Sequence, residues 1–415
     1  MTRPARTAAA SCASAGSRAA SGAFVAGTAP SAGDDAVAPH GPLRGMRLAV
    51  KDLIDVRGLP TGGGNPGWAA GHAAAAAADA ACVAALRAAG ARIVGKTVTD
   101  ELAFSLDGEN AFHGTPRHPL DATRLPGGSS SGSAVAIAWG EADLALGTDT
   151  GGSVRVPASF CGVLAMRPTH GRIPLAGVLP FAPGFDTVGW FARDARLLRD
   201  AGHALLGPAD ALPQPSHPLR LCVAEDALAL ADMPVQQALR DWCAHAGIGV
   251  GRRAYGDGDW RQWGEAYSLL QGLEIQQSLG PWIRAHRPVF GPAIAPRFAQ
   301  ALALDPARGP AWQRWRETAA RELIERLGPD EAWLVPAAPC TALHRDADAG
   351  ERGAFYQRAL ALGALAGHAG LPQVVLPLAM ADGLPVGVSF IGAPGSDHRL
   401  LELAVALCPS GQDPQ

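Results

Sequence analysis

The 415-residue chain has no apolar run long enough to span a bilayer. The alanine stretch at 73–78 is short and ends at Asp79, so no membrane segment is expected. Nor is there any C-x-x-C spacing. Cys12, Cys82, Cys161, Cys222, Cys243, Cys340 and Cys408 are scattered and odd in number. That pattern excludes a disulfide framework and a structural zinc site. It points to reduced, packing cysteines in a cytoplasmic protein. Like charges form no block and the net charge is −3, which argues against a nucleic-acid partner. Acidic residues are absent before Asp34, in a segment rich in Ala, Ser and Gly. Transit peptides share this bias, but no cleavage-like pattern follows, so residues 1–40 are expected to be a disordered tail. No internal repeat is present.

What the chain has in abundance is Gly (51) and Pro (34), hence many turns. Its length suits one large α/β unit with an insertion, or two to three ordinary domains. A short strand at 46–50 delivers Lys51. A helical spacing over 79–89 stops at Gly90 and precedes a strand at 92–94, an α/β order. A small-residue helix at 133–140 and a strand at 144–146 follow, with a loop at 104–114 between the early elements. From about 196 to 329 the texture becomes mainly helical, with helices expected at 264–285 and 310–327. This stretch holds Trp242, Trp260, Trp263, Trp282, Trp312 and Trp315. Ordinary packing is the simpler reading of each tryptophan, although together they could wall an apolar pocket. The α/β texture returns with strands at 332–335, 373–376 and 385–391 and helices at 355–368 and 398–407. One α/β domain over 41–415 is expected, with a core at 41–195, a variable insertion at 196–329 covering a site, and the rest of the core at 330–408.

The chemistry concentrates between Pro126 and Pro157, P-G-G-S-S-S-G-S-A-V-A-I-A-W-G-E-A-D-L-A-L-G-T-D-T-G-G-S-V-R-V-P. Two Gly/Ser turns flank one helix, each presenting a serine on backbone that can turn tightly. A serine is a weak nucleophile until a base activates it. A phosphate-cradling loop would need G-K-[ST], and no lysine follows either turn. Gly128-Ser129-Ser130-Ser131-Gly132 fits G-x-S-x-G, with His368 and His398 as candidate bases, but no buried strand precedes it. The remaining reading joins Ser129, Ser153 and Lys51.

Here the sequence resembles the amidase signature family, most specifically at G-T-D-T-G-G-S-V-R-V-P-A. A-V-K-D at 49–52, R-P-T-H-G-R at 167–172, A-G-L-P-Q-V-V-L-P-L, G-L-P-V-G-V-S-F-I-G and S-D-H-R-L-L are similar to the same family. The resemblance runs from about residue 41 to 407. It implies a central mixed β-sheet covered on both faces by helices, with a helical middle insertion. It also implies a triad of Lys51 as base, Ser129 as bridging serine on a cis peptide bond, and Ser153 as nucleophile. A buried lysine loses its charge more easily, as a base must. Lys51 would draw a proton from Ser129, and Ser129 one from Ser153. Backbone N–H groups of Thr150, Gly151, Gly152 and Ser153 would form the oxyanion hole. Ser130, Asp149 and Arg155 would support the site, the last two as a loop brace. No cofactor or metal is implied.

Several segments resemble the branch of plant indole-acetamide hydrolases: G-G-S-S-S-G-S, and residues 62–68, 185–194 and 287–297. That implies a small primary amide of arylacetamide type, hydrolysed to acid and ammonia. Two alternatives stand beside it. One is the glutamine-hydrolysing subunit of a tRNA-dependent amidotransferase, and the other is a catalytically dead binding module. A homodimer is compatible with the sequence. Lys96 is read as a brace, His113 and His118 as surface or packing residues, and Cys161 as an inert buried thiol.

Overall fold

In the strand β1 (Arg47–Lys51), Leu48 and Val50 point to one apolar cluster and Ala49 to another. Alternation therefore puts Lys51 on the Ala49 face. The computed structural model describes residues 21–29, 40–207, 218–246, 251–253 and 259–409. Nine further strands follow: β2 (Arg92–Thr97), β3 (Leu144–Asp149), β4 (Leu164–Arg167), β5 (Thr187–Ala192), β6 (Arg220–Ala224), β7 (Gly251–Arg253), β8 (Glu331–Pro336), β9 (Gln373–Ala381) and β10 (Leu384–Gly392). All ten join one sheet in the order β2-β1-β3-β5-β4-β9-β10-β8-β6-β7. Pairing is parallel among β2, β1 and β3 and among β8, β6 and β7, and antiparallel between. This is the mixed α/β sheet expected.

β3, β5, β8 and β10 are buried along their whole length, so helices cover both faces. One face packs Leu48, Val50, Leu146 and Trp190 against the helices Ala81–Ala88, Ala195–Leu206, Met233–His245 and Asp397–Leu407. The other packs Ala49, Ala145, Phe191 and Val375 against the helices Ser131–Ala138 and Arg155–Cys161. The small residues of Ser131–Ala138 let it lie deep in the protein, buried on nearly every side. The helices Trp260–Ser278, Ala295–Leu302 and Ala349–Ala369 build a further apolar cluster with Phe104, Phe181, Phe185 and Leu360, above the Gly/Ser turns. No helix among the described residues is long and apolar enough to cross a membrane.

The middle region also contributes β6 and β7 to the sheet. Two expectations need correction. The helix expected over 264–285 is two helices, Trp260–Ser278 and Gly280–His286. Pro281 opens the second, where its missing N–H breaks the first ladder. The tail expected through residue 40 differs at 21–29. Ser21 and Ala23 are buried there and Phe24 bridges to Thr97. The rest of that tail lies outside the described residues.

Candidate active site

β1 ends at Lys51, which is wholly enclosed. Its Nζ donates to Ser129 Oγ at 2.7 Å and to Thr148 Oγ1 at 2.9 Å. Among the described residues no carboxylate lies within ion-pairing distance of it. Burial therefore pushes the amine from its ordinary 10.5 down to about 7, against the charges of Asp100, Asp149 and Asp186. The Gly128–Ser129 peptide bond is cis, as the resemblance implies. Gly128 has no room for a side chain. A Cβ there would stand 2.4 Å from Asp100 Oδ2, and the Asp100 N–H donates to the Ser129 carbonyl at 3.3 Å. Asp100 thus holds this turn from both sides.

The second turn links β3 to the helix Arg155–Cys161 through Thr150–Val154. Gly152 sits at φ +128°, a backbone that side chains rarely adopt. The Ser130 N–H donates to the Ser153 carbonyl at 3.1 Å, which sets the two turns side by side. Ser130 Oγ donates to the Thr148 carbonyl. Ser153 is 4% exposed, and its hydroxyl makes no hydrogen bond to another described residue. The structure brings Lys51 to Ser129 by a direct side-chain bond, and Ser153 to Ser130 through main chain.

Asp149 organises the second turn. Its carboxylate accepts from the N–H groups of Gly152, Val154 and Arg155, and from the guanidinium groups of Arg155 (2.7 and 3.0 Å) and Arg167 (2.9 Å). Burial alone would raise its pKa, but the charges of Arg155 and Arg167 win and hold it well below the carboxylate range. Asp149 and Arg155 are the brace expected. The Gly152 N–H, expected in the oxyanion hole, is instead committed to Asp149 Oδ1 at 3.1 Å. The N–H groups of Thr150, Gly151 and Ser153 donate to no described residue.

Sequence reasoning missed Thr148, Asp100, Arg167, Asp186 and Tyr267. Arg167 donates to the Asp149 carbonyl, Asp186 accepts from Thr150 Oγ1, and the Tyr267 hydroxyl donates to the Thr150 carbonyl. Thr148, Arg167 and Asp186 lie inside motifs that were already visible. Tyr267 lies mid-helix, where no local signal marks it.

Other candidates fall elsewhere. His368 is sealed among Phe185, Trp263, Tyr267 and Trp315, with Nε2 against the Trp263 carbonyl. Burial pushes it down to about 3. His398 pairs with the ring of His203. His118 bonds the Phe160 carbonyl, and His113 is exposed. Lys96 braces Asp52 (3.1 Å) and Thr61 (2.9 Å). Cys161 is buried with its thiol pushed up. Among the described residues no cluster of His, Cys, Asp or Glu could hold a metal.

Beside the second turn lies a cavity of about 890 Å³, walled by Phe104, Leu269, Gln271, Tyr356 and Leu360 among others. Leu360 Cδ2 and Gln271 Oε1 also lie 2.8 and 3.7 Å from a Cβ built on Gly151, with Tyr267 Cε1 at 3.5 Å, so the cavity abuts the second turn. Of the middle-region tryptophans only Trp260 reaches its wall. Trp263 and Trp312 each pack edge to face on Trp315.

Residues 24–232 match the family described as Amidase. Over 402 residues the chain is 36% identical to Amidase 1 of Arabidopsis thaliana, covering 88% of this chain and 93% of that one. It is 32% identical over 419 residues to a glutamyl-tRNA(Gln) amidotransferase subunit of Thermus thermophilus, covering 90% and 86%. A crystal structure of an amidase matches with a TM-score of 0.77 at 31% identity, covering 88% and 84%. The chain belongs to the amidase family and is a hydrolase acting on carbon–nitrogen bonds other than peptide bonds.

Proposed function

We propose that the protein hydrolyses a small carboxylic acid amide to acid and ammonia, through an acyl-enzyme on Ser153. The observation that carries this reading is the Lys51–Ser129 bond at 2.7 Å in a buried site where the amine sits near pKa 7. A lysine so placed can lose its proton at neutral pH and act as base. Neutral Lys51 takes the Ser129 proton while Ser129 takes that of Ser153. Ser153 Oγ attacks the carbonyl carbon, and negative charge moves to the carbonyl oxygen. The unengaged N–H groups of Thr150, Gly151 and Ser153 supply donors for it. The intermediate collapses by breaking the C–N bond, and the proton returns through Ser129 to the leaving nitrogen. Water then attacks the ester by the same route. The sum is amide plus water to carboxylate plus ammonium.

The aromatic wall of the cavity, with Phe104, Trp260 and Tyr356, suits an arylacetamide-like acyl group. Cys82, Cys161, Cys340 and Cys408 form no disulfide among the described residues, which supports a reducing, cytoplasmic setting. The likeness to an amidotransferase subunit keeps glutamine hydrolysis as a second reading.

The test is ammonia release from indole-3-acetamide, phenylacetamide, aliphatic amides and glutamine, by wild type and Ser153→Ala. Release that disappears in the variant supports the mechanism. A Ser153→Ala enzyme that still turns over excludes the nucleophile assignment. Release from glutamine alone favours the amidotransferase reading.

A further inference from the structure

The cavity holds a polar group that the reaction above leaves unused. Gln271, on the helix Trp260–Ser278, is 5% exposed, and its Oε1 has no hydrogen-bond partner. That atom lies 3.7 Å from a Cβ built on Gly151, so it faces the turn that carries Ser153. Leaving a buried carboxamide oxygen unpaired is costly, and a native protein tolerates it where something else completes the bond.

The cavity is also lopsided in charge. Its wall carries four arginines and one glutamate. Arg261 pairs with that glutamate, Glu265, and Arg358 with Asp232. Arg308 has no ion pair among the described residues. Arg297 is the enclosed one, its side chain 19% exposed. Its guanidinium lies on the Tyr356 ring, 3.8 Å from the centroid. The nearest carboxylate oxygen, Asp107 Oδ2, is 3.9 Å away, beyond hydrogen-bond distance. Asp107 stands as far, 4.0 Å, from Arg352 and closes on neither. Arg297 is therefore fixed in place by stacking, while most of its donors remain open. The same wall carries the apolar side chains of Phe104, Leu269 and Leu360.

We propose that this cavity selects amides whose acyl group, aliphatic or aryl, ends in a carboxylate. Monoamides of dicarboxylic acids are the simplest class. Gln271 accepts an N–H of the scissile amide, the stem lies along the apolar wall, and Arg297 receives the carboxylate. A planar guanidinium with open donors matches a carboxylate in two parallel bonds. An uncharged aryl group would fill the apolar stretch but leave the cationic end unmet. The inference rests on Ser153 being the hydrolytic centre.

The experiment compares kcat/KM for size-matched pairs with the full-length enzyme: butyramide and succinamic acid, hexanamide and adipamic acid, phenylacetamide and 4-carboxyphenylacetamide. The acid member of at least one pair is expected to be favoured by about tenfold or more, the scale of one charge-assisted bond. Arg297→Met, which keeps an apolar stem on Tyr356, is expected to remove that preference and leave the neutral member within about twofold. Gln271→Leu is expected to slow both members of a pair about equally, by about tenfold. The proposal is overturned if the neutral amide is favoured in every pair, or if Arg297→Met slows both members alike. Failure of the underlying reading looks different, as no ammonia from any amide or turnover that survives Ser153→Ala.

Discussion

Replacing Asp100 with asparagine is expected to move the acid limb of the pH–rate profile. Lys51 sits near pKa 7 because desolvation, which pushes it down, is partly opposed by Asp100, Asp149 and Asp186. Asp149 is engaged by Arg155 and Arg167, and Asp186 by Thr150 and two backbone N–H groups. Asp100 alone of the three has a buried oxygen, Oδ1, with no partner. It forms no ion pair with Lys51, so the charges stand more than a contact apart. Burial also pushes the Asp100 carboxyl up to about 7, so the two groups titrate together and the anion is only partly present where Lys51 loses its proton. Removing the anion disfavours the ammonium, so the pKa of Lys51 falls and the base stays neutral to lower pH. The acid limb of kcat/KM is expected to move below 7 by about one unit, roughly half of what a full anion a little beyond contact would give at an effective dielectric of about 20. The plateau is expected to fall about tenfold, because the ammonium that forms during reaction loses its counter-charge. Asparagine can still accept the Gly108 N–H that Asp100 Oδ2 accepts at 3.0 Å, so the fold should survive, and a thermal melt checks this. The assay is ammonia release from pH 4.5 to 9 at constant ionic strength. An acid limb unmoved in a folded Asp100→Asn enzyme would refute the coupling. A wild-type profile with no acid limb near 7 would refute Lys51 as the base.

Asp149→Asn leaves Arg155 and Arg167 buried without their counter-charge, and is expected to cost about 3–5 kcal/mol in chemical denaturation. The carboxyl is depressed in the fold, so its contribution is full above about pH 4 and is lost as pH falls through the folded value. The wild type but not the variant should therefore lose stability on that acid side. Tyr267→Phe removes the hydroxyl that donates to the Thr150 carbonyl, and is expected to lower kcat about tenfold with KM little changed. An unchanged kcat would detach Tyr267 from the oxyanion turn. Lys51→Met is expected to abolish turnover yet change the pH dependence of stability. Between about pH 7 and 10.5 the unfolded lysine binds a proton that the folded one lacks, so wild-type stability rises with pH. Melts at pH 7.5 and 9.5 should show that rise lost in the variant.

The legible parts of the protein are those in which chemistry is local in sequence. Gly127 to Ser131 and Thr148 to Arg155 can be read as two serine-bearing turns because glycine and serine sit side by side there. The helix Ser131–Ala138 between them follows from its small residues. What could not be read depends on distant chain. β6 is five residues long and β7 three, too short to reveal their sheet partners. Phe24 finds Thr97 across 73 positions, so the order in residues 21–29 leaves no local trace. Tyr267 and Gln271 read as ordinary positions of an amphipathic helix until that helix is laid over Gly151. The break at Ser278–Gly280 had a signal, Pro281, that the continuous apolar pattern outweighed. The engagement of the Gly152 N–H by Asp149 was invisible, since motif spacing does not say which way a peptide group turns.

The two lysines show how neighbours, rather than burial, set what a buried cation does. Of the 35 lysines and arginines only Lys51 and Lys96 are lysine, and both are wholly enclosed. Arginine carries every other positive side chain. It could not serve at position 51, because a guanidinium does not give up its proton in a protein. The pair lie on adjoining strands, where Val50 registers with Lys96 and Lys51 with Thr97. Desolvation pulls both amines down. Lys96 meets it with the Asp52 carboxylate at 3.1 Å, the Thr61 hydroxyl and the Pro60 carbonyl, a set that fills an ammonium's three donors. Asp52, so held, also accepts the Gly62 N–H beside the end of β1. Lys51 meets only two hydroxyls, which bond an amine as well as an ammonium. One lysine thus keeps its charge and steadies the strand end, and that strand end presents the other to Ser129 in a form able to take a proton.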